Sequence, residues 1–196
     1  FANKKPAAEL LPDHSARSSA PLCIAIVGAG AIGCYLGTML CQSPDFDVMF
    51  IGRERMALES AAYGLTAQDL DGACYQVTSP VVYTEFEALR SAQLVLVTVK
   101  ALDLELVLTQ LSRHLSPDSL VVAMQNGVAI APLYQQFLTQ TVLRAIVPFN
   151  VVKISPGFYA RTTGAEMIWQ QTDDQAISAV LAQLQRMGIA SRQLEQ

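Results

Sequence analysis

Residues Gly28, Ala29, Gly30, Ala31, Ile32 and Gly33 set three glycines at G-x-G-x-x-G spacing, directly after an apolar run at residues 24–27 and before a helical pattern. In that strand-to-helix context the spacing predicts a cradle for a diphosphate. Gly28 permits the tight turn, Gly30 lets the main chain approach a pyrophosphate, and Gly33 lets helix and strand pack closely. The unpaired amides of the helix start then face the anion. Gly37, one turn on, extends the close packing. A glycine-rich turn that holds no nucleotide is the structural alternative; a strand, motif, helix and second strand in register favour the ligand.

The end of the second strand sets which dinucleotide is preferred. Domains that take NAD usually place an Asp or Glu there, about 20 residues beyond the glycines, to hold the ribose hydroxyls. Here the position reads Gly52-Arg53, with Arg55 close by. A guanidinium offers a charge and a planar fork suited to the oxygens of a 2′-phosphate. NADP(H) is therefore the expected cofactor. The alternative is an ordinary solvated helix start, with Glu54 pairing either arginine.

Lys100 and Asn126 both follow apolar runs that read as parallel strands, at the carboxyl edge where open α/β sheets bind ligands. A Lys there holds a carboxylate or phosphate, and an Asn offers a donor and an acceptor to a nicotinamide ribose or a substrate oxygen. Each alone reads equally well as a solvent-facing end residue or a turn former. Of the two histidines, His14 falls in the opening segment and His114 near a helix end, so neither reads as an acid or base.

The elements that position these residues alternate. Buried strands are expected at residues 24–27, 48–51, 94–99 and around 120–125, with helices at 31–41, 53–63, 101–115 and 131–139. A hairpin turning at Asp71-Gly72, with the two-residue loop that this dipeptide favours, decorates the sheet. A short strand or loop at 81–83 and a helical turn at 86–90 precede the central strand. The runs VLRAIVPFNVV, GFYARTT and EMIWQ read as strands joined through Pro156-Gly157. Asp173 or Asp174 caps a last helix reaching about Arg186. The fold class is α/β, a Rossmann-type, mostly parallel sheet with helices on both faces.

Composition narrows the function classes. The 196 residues are 52% hydrophobic and 15% charged, enough for one substantial core. A net charge of −4 and the lack of a basic block argue against nucleic acid and anionic membranes. No apolar run reaches the roughly 18 to 20 residues that span a bilayer. Cys23, Cys34, Cys41 and Cys74 lack metal or thiol-redox spacing and read as buried free thiols, which fits a reducing cytoplasm and no metal. Residues 1–20 read as a disordered tail and 21–196 as one nucleotide-binding domain. The closing LAQLQRMGIASRQLEQ reads as a helical stretch without a terminating Gly or Pro, hence as a chain cut between domains.

Taken together, GAGAIG, the Arg after the second strand, LVTVKA, MQNGV and VPFNVVKISPGFYARTTG resemble the amino-terminal half of the ketopantoate reductase (2-dehydropantoate 2-reductase) family over residues 22–190. That resemblance implies that residues 28–33 bind the pyrophosphate and Arg53 the 2′-phosphate of NADP(H). It also implies that Lys100 and Asn126 bind the nicotinamide side with the substrate nearby, and that Val152 makes a backbone contact. It further implies NADPH-dependent reduction of ketopantoate or a related 2-keto acid in pantothenate biosynthesis. The proton-donor Lys belongs to a helical domain expected beyond Gln196. The expected partner is a small-molecule 2-keto acid, with a homodimer left open. Two alternatives remain: another two-domain dehydrogenase, of hydroxyacyl or sugar-acid type, and a non-catalytic NADP(H)-sensing module.

Overall fold

The computed structural model describes residues 20–126 and 130–194. The expected tail at residues 1–20, apart from exposed Ala20, lies outside the described residues, as does Gly127.

Apolar runs become strands, and the amphipathic stretches between them become the crossover helices that parallel pairing requires. The first units are β1 (Leu22–Val27), α1 (Ala31–Leu40), β2 (Phe46–Ile51) and α2 (Glu54–Tyr63). The hairpin β3 (Leu65–Gln68) and β4 (Cys74–Val77) follows, then β5 (Val81–Tyr83) and a 3-10 turn at Phe86–Ser91. The chain continues through β6 (Leu94–Val97), α3 (Leu104–His114), β7 (Leu120–Ala123), α4 (Ile130–Phe137) and β8 (Val142–Ile146). It closes with β9 (Val151–Ser155), β10 (Phe158–Arg161), β11 (Met167–Gln170), α5 (Gln175–Arg186) and β12 (Ser191–Leu194).

The main sheet runs β12-β11-β8-β7-β6-β1-β2-β5. It is parallel from β5 to β8, and β11 joins β8 antiparallel. The chain moves from β1 outward to β2 and β5, then crosses back to start β6 on the other side of β1. The crevice at the carboxyl ends of β1 and β6 is therefore the switch point where such sheets take ligands.

Alternation along the strands divides the core into two layers. Ile24, Ile26, Phe50 and Leu96 pack with α1 and α5, whereas Ala25, Val27, Ile51 and Val97 pack with α3 and α4. Burying each large side chain stabilises by about 1.5–3 kcal/mol. Helices of 10 or 11 residues such as α1 and α3 are marginal alone, so these rows hold them. A second sheet, β4-β3-β10-β9, covers the other side of α1, where Leu65, Ala67 and Tyr159 join the α1 cluster.

Four sequence expectations need correction. VLRAIVPFNVV is two strands in two sheets, broken at Val147–Asn150, because Pro148 has no amide for a ladder. The hairpin loop has three residues, Leu70 to Gly72, not two. The Gly72 amide bonds the Asp69 carbonyl, and the Asp69 amide bonds that of Ala73; the hairpin also belongs to the second sheet. The closing segment does carry a helix stop at Gly188. The Gly188 and Ile189 amides bond the Gln185 and Leu184 carbonyls, a Schellman ending, and β12 follows. Of the cysteines only Cys34 is buried, and Cys74 is exposed. Asp174, not Asp173, caps α5, its Oδ1 accepting from the Ala176 and Ile177 amides. Among the described residues no helix is long and apolar enough to cross a membrane, and no cluster of three His, Cys, Asp or Glu could hold a metal.

Candidate functional site

The glycine turn sits at the carboxyl end of β1, wedged between β2 and β6. Gly28 has φ +101°, and a Cβ there would come within 2.6 Å of Val99 Cγ1, so both conformation and space demand glycine. A Cβ at Gly33 would collide with the Gly28 carbonyl and reach within 2.6 Å of Thr98 Oγ1. Thr98 Oγ1 donates to the Gly28 carbonyl at 2.7 Å, tying the end of β6 to the turn. Gly37 lets α1 settle against the Phe50 ring.

Gly30 differs from these. A Cβ there would meet nothing within 4 Å, and its backbone is ordinary extended chain at φ −82°. Nothing in the protein requires a glycine at this position, which fits close approach by a ligand from outside. The first α1 hydrogen bond runs from the Cys34 amide to the Gly30 carbonyl at 2.9 Å, and no side chain caps the helix. The amides of Ala31, Ile32 and Gly33 precede that bond and so have no partner inside the helix. Amides and helix dipole together form an anion site, and the residues present fit a diphosphate.

Arg53 stands at the mouth of β2 as the residue preceding α2, with its side chain 85% exposed. Its partner is not Glu54: Nη2 donates to Asp103 Oδ2 at 3.2 Å, across from the loop after β6. Arg55 turns to Glu59 at 3.1 Å, one helical turn on. Glu59 also pairs with Lys153 of β9, and that ammonium holds its carboxyl below the usual carboxylate range. Of the two arginines, Arg53 is the one that reaches the loop after β6.

A cavity of about 330 Å³ opens beside the turn, lined by Ile32, Thr98, Met124, Asn126 and the segment Val147 to Val151. Asn126 is thus brought to the same crevice as the glycine turn. Lys100 is exposed, three residues beyond β6, and is not part of the cavity lining. Val152 lies in β9 with its side chain 40% exposed, next to the cavity residue Val151. His114 ends α3 far from this edge, its Nε2 3.9 Å from Glu87 and its Nδ1 buried without a partner.

Sequence reasoning missed Gln125, which holds the crevice together. Its Nε2 donates to the carbonyls of Val97 at 2.9 Å and Val99 at 3.1 Å, and its Oε1 accepts from the Tyr134 hydroxyl at 2.8 Å. Burial pushes the Tyr134 hydroxyl above the usual tyrosine range, keeping it a donor. One buried amide therefore fixes the loop that carries Lys100, the strand end that carries Asn126, and α4. The signal was present as the Q of MQNGV, but a Gln has no chemistry that singles it out. The cavity wall Val147 to Val151, which includes the exposed Asn150, falls where the run VLRAIVPFNVV predicts mid-strand. Its Asn150 amide donates to Thr163 Oγ1 at 2.8 Å, and its carbonyl accepts from the Thr162 amide at 2.9 Å.

Comparison with known proteins agrees with this geometry. Residues 24–174 match the family model described as ketopantoate reductase PanE/ApbA. A 2-dehydropantoate 2-reductase of Caulobacter vibrioides is 30% identical over 138 residues, 68% of this chain and 44% of that protein. A PanE/ApbA family ketopantoate reductase from Ralstonia eutropha JMP134 superposes with a TM-score of 0.78 at 28% identity, over 88% of this chain and 56% of that one. A 2-dehydropantoate 2-reductase from Geobacter metallireducens GS-15 gives 0.75 at 25% identity, over 88% and 58%. The chain spans about half the length of the relatives it matches.

Proposed function

The chain belongs to the ketopantoate reductase PanE/ApbA family, and from that premise we propose that it is the cofactor half of an NADPH-dependent reductase. The whole protein would reduce ketopantoate (2-dehydropantoate), or a close 2-keto acid, to the 2-hydroxy acid in pantothenate biosynthesis. The observation that carries the reading is Gly30: its missing Cβ leaves open space at a helix start whose first amides have no helical partner.

In this reading the turn from Gly28 to Gly33, with Ala29, Ala31 and Ile32, holds the diphosphate through its amides, and Arg53 holds the 2′-phosphate. The nicotinamide, when bound, supplies a hydride to the substrate carbonyl carbon. Asn126 offers a donor and an acceptor within the cavity, and Lys100, two residues beyond the cavity residue Thr98, supplies a positive charge for a carboxylate. Ile32, Met124, Val147, Pro148 and Phe149 keep water from the reacting carbonyl, which strengthens the polar contacts made there. Val152 contributes main chain beside the cavity. The proton for the substrate oxygen is assigned to a Lys of the helical domain that the family resemblance implies.

Calorimetric titration with NADPH and NADH tests this. NADPH is expected to bind more tightly, and Arg53→Ala to weaken it by about tenfold, the scale of one charge-assisted hydrogen bond. Equal binding of NADPH by the wild type and Arg53→Ala removes Arg53 from the reading; no binding of either cofactor removes the reading itself.

A further inference from the structure

The loop after β6 brings a carboxylate to the guanidinium assigned to the cofactor's extra phosphate. Asp103 ends a 3-10 turn at Ala101–Asp103 that runs directly into α3, and its own backbone is already helical at φ −95° and ψ −5°. A side chain on a helical backbone is not posed to cap, unlike that of the extended Asp174, which caps α5. The Asp103 side chain makes no cap bond, and its Oδ2 accepts from Arg53. The two side chains are 85% and 48% exposed, and an ion pair so open to water adds little to stability. Arg55 pairs with Glu59 one helical turn on, its own side chain 82% exposed. The end of β2 itself carries no carboxylate, so Asp103 is the acid that its neighbours in space place beside the arginine.

Resting on the cofactor reading above, we propose that Asp103 is a specificity-determining residue of the adenosine site. Its carboxylate competes with the 2′-phosphate for Arg53 and, where that phosphate is missing, accepts a hydrogen bond from the ribose 2′-hydroxyl. Asp103 thereby holds the choice between NADPH and NADH closer to even than Arg53 alone would. Because the competing charges lie in water, their repulsion is screened by salt.

The test is calorimetric titration of the full chain with NADPH and NADH at low and high salt, for wild type, Asp103→Asn, Arg53→Ala and the double variant. Asp103→Asn is expected to tighten NADPH by about three- to fivefold and to weaken NADH by about threefold, with the NADPH gain shrinking at high salt. In the Arg53→Ala background the gain for NADPH disappears. Asp103→Ser, which removes the charge and keeps a small polar side chain, is expected to shift the preference in the same direction, and unchanged melting of both variants separates the effect from folding. A NADPH-to-NADH preference within about twofold of wild type in Asp103→Asn, or a gain that survives intact without Arg53, overturns the proposal. Wild type that binds neither cofactor overturns the cofactor reading instead, and this inference with it.

Discussion

Two arginine–aspartate pairs in this chain are chemically alike and physically opposite. Arg53–Asp103, at the mouth of the sheet, is open to water and joins two loops that nothing else links by side chains among the bonds described. Arg161–Asp69, between α1 and the second sheet, has side chains only 6% and 8% exposed. There Arg161 Nε donates to Asp69 Oδ1 at 2.6 Å, the Tyr35 hydroxyl donates to the same oxygen at 3.2 Å, and the guanidinium stacks 5.2 Å from the centre of the Phe149 ring. The buried pair spends its charge on its neighbours and so fixes structure; the exposed pair keeps a charge that an incoming anion can claim. Phe149 links the two regions, because it lies under Arg161 and also walls the cavity.

The contrast is broken most forcefully at Arg161. Arg161→Ala leaves Asp69 buried without its cation and is expected to cost about 3–5 kcal/mol in denaturant unfolding. The same experiment on Arg53→Ala is expected to show at most about 1 kcal/mol. Similar losses from both would erase the distinction between them.

A sharper version lies within the glycine turn. Gly33→Ala pushes a methyl against the Gly28 carbonyl and Thr98 and is expected to cost about 1–3 kcal/mol of stability. Gly30→Ala meets no protein atom, so its unfolding midpoint is expected to match wild type while NADPH binding weakens by about ten- to a hundredfold. A Gly30→Ala chain that binds NADPH normally would show that the open space at residue 30 serves no ligand.

The smallest effect concerns pH. Burial pushes the Cys34 thiol up to about 11, from an ordinary value near 9, in the helix that both sheets cover. The folded chain thus keeps a proton that the unfolded chain releases first, so this contribution to stability is complete below about pH 9 and fades as the pH rises through 11. Cys34→Ala should therefore lose less stability than wild type across that window in urea titrations. Parallel pH profiles for the two chains would contradict the burial effect.

Much of this arrangement was legible in the residues themselves. The glycine spacing, the arginine in place of an acid, and the positions of Lys100 and Asn126 after apolar runs all follow from local rules about what a strand end or helix start needs. Pro148 and Gly188 carry local signals of the same kind. A single residue without an amide splits one apolar run into strands of two sheets, and a single glycine ends a helix within an otherwise helical composition. Gln125 and Asp103 were not legible, since their partners Val97, Tyr134 and Arg53 are brought near them only by folding.

By itself, the sequence determined the alternating elements and the glycine turn, because strand burial, helix starts and glycine sterics act over a few neighbouring residues. Only the tertiary structure decided which charges are consumed and which stay available. Whether Asp69 or Asp103 meets an arginine depends on strands and loops 50 or more residues apart, and on how much water remains around them once they meet. Solvent exposure is a property of the packed molecule, and it separates the arginine that braces the fold from the one whose charge stays open to water.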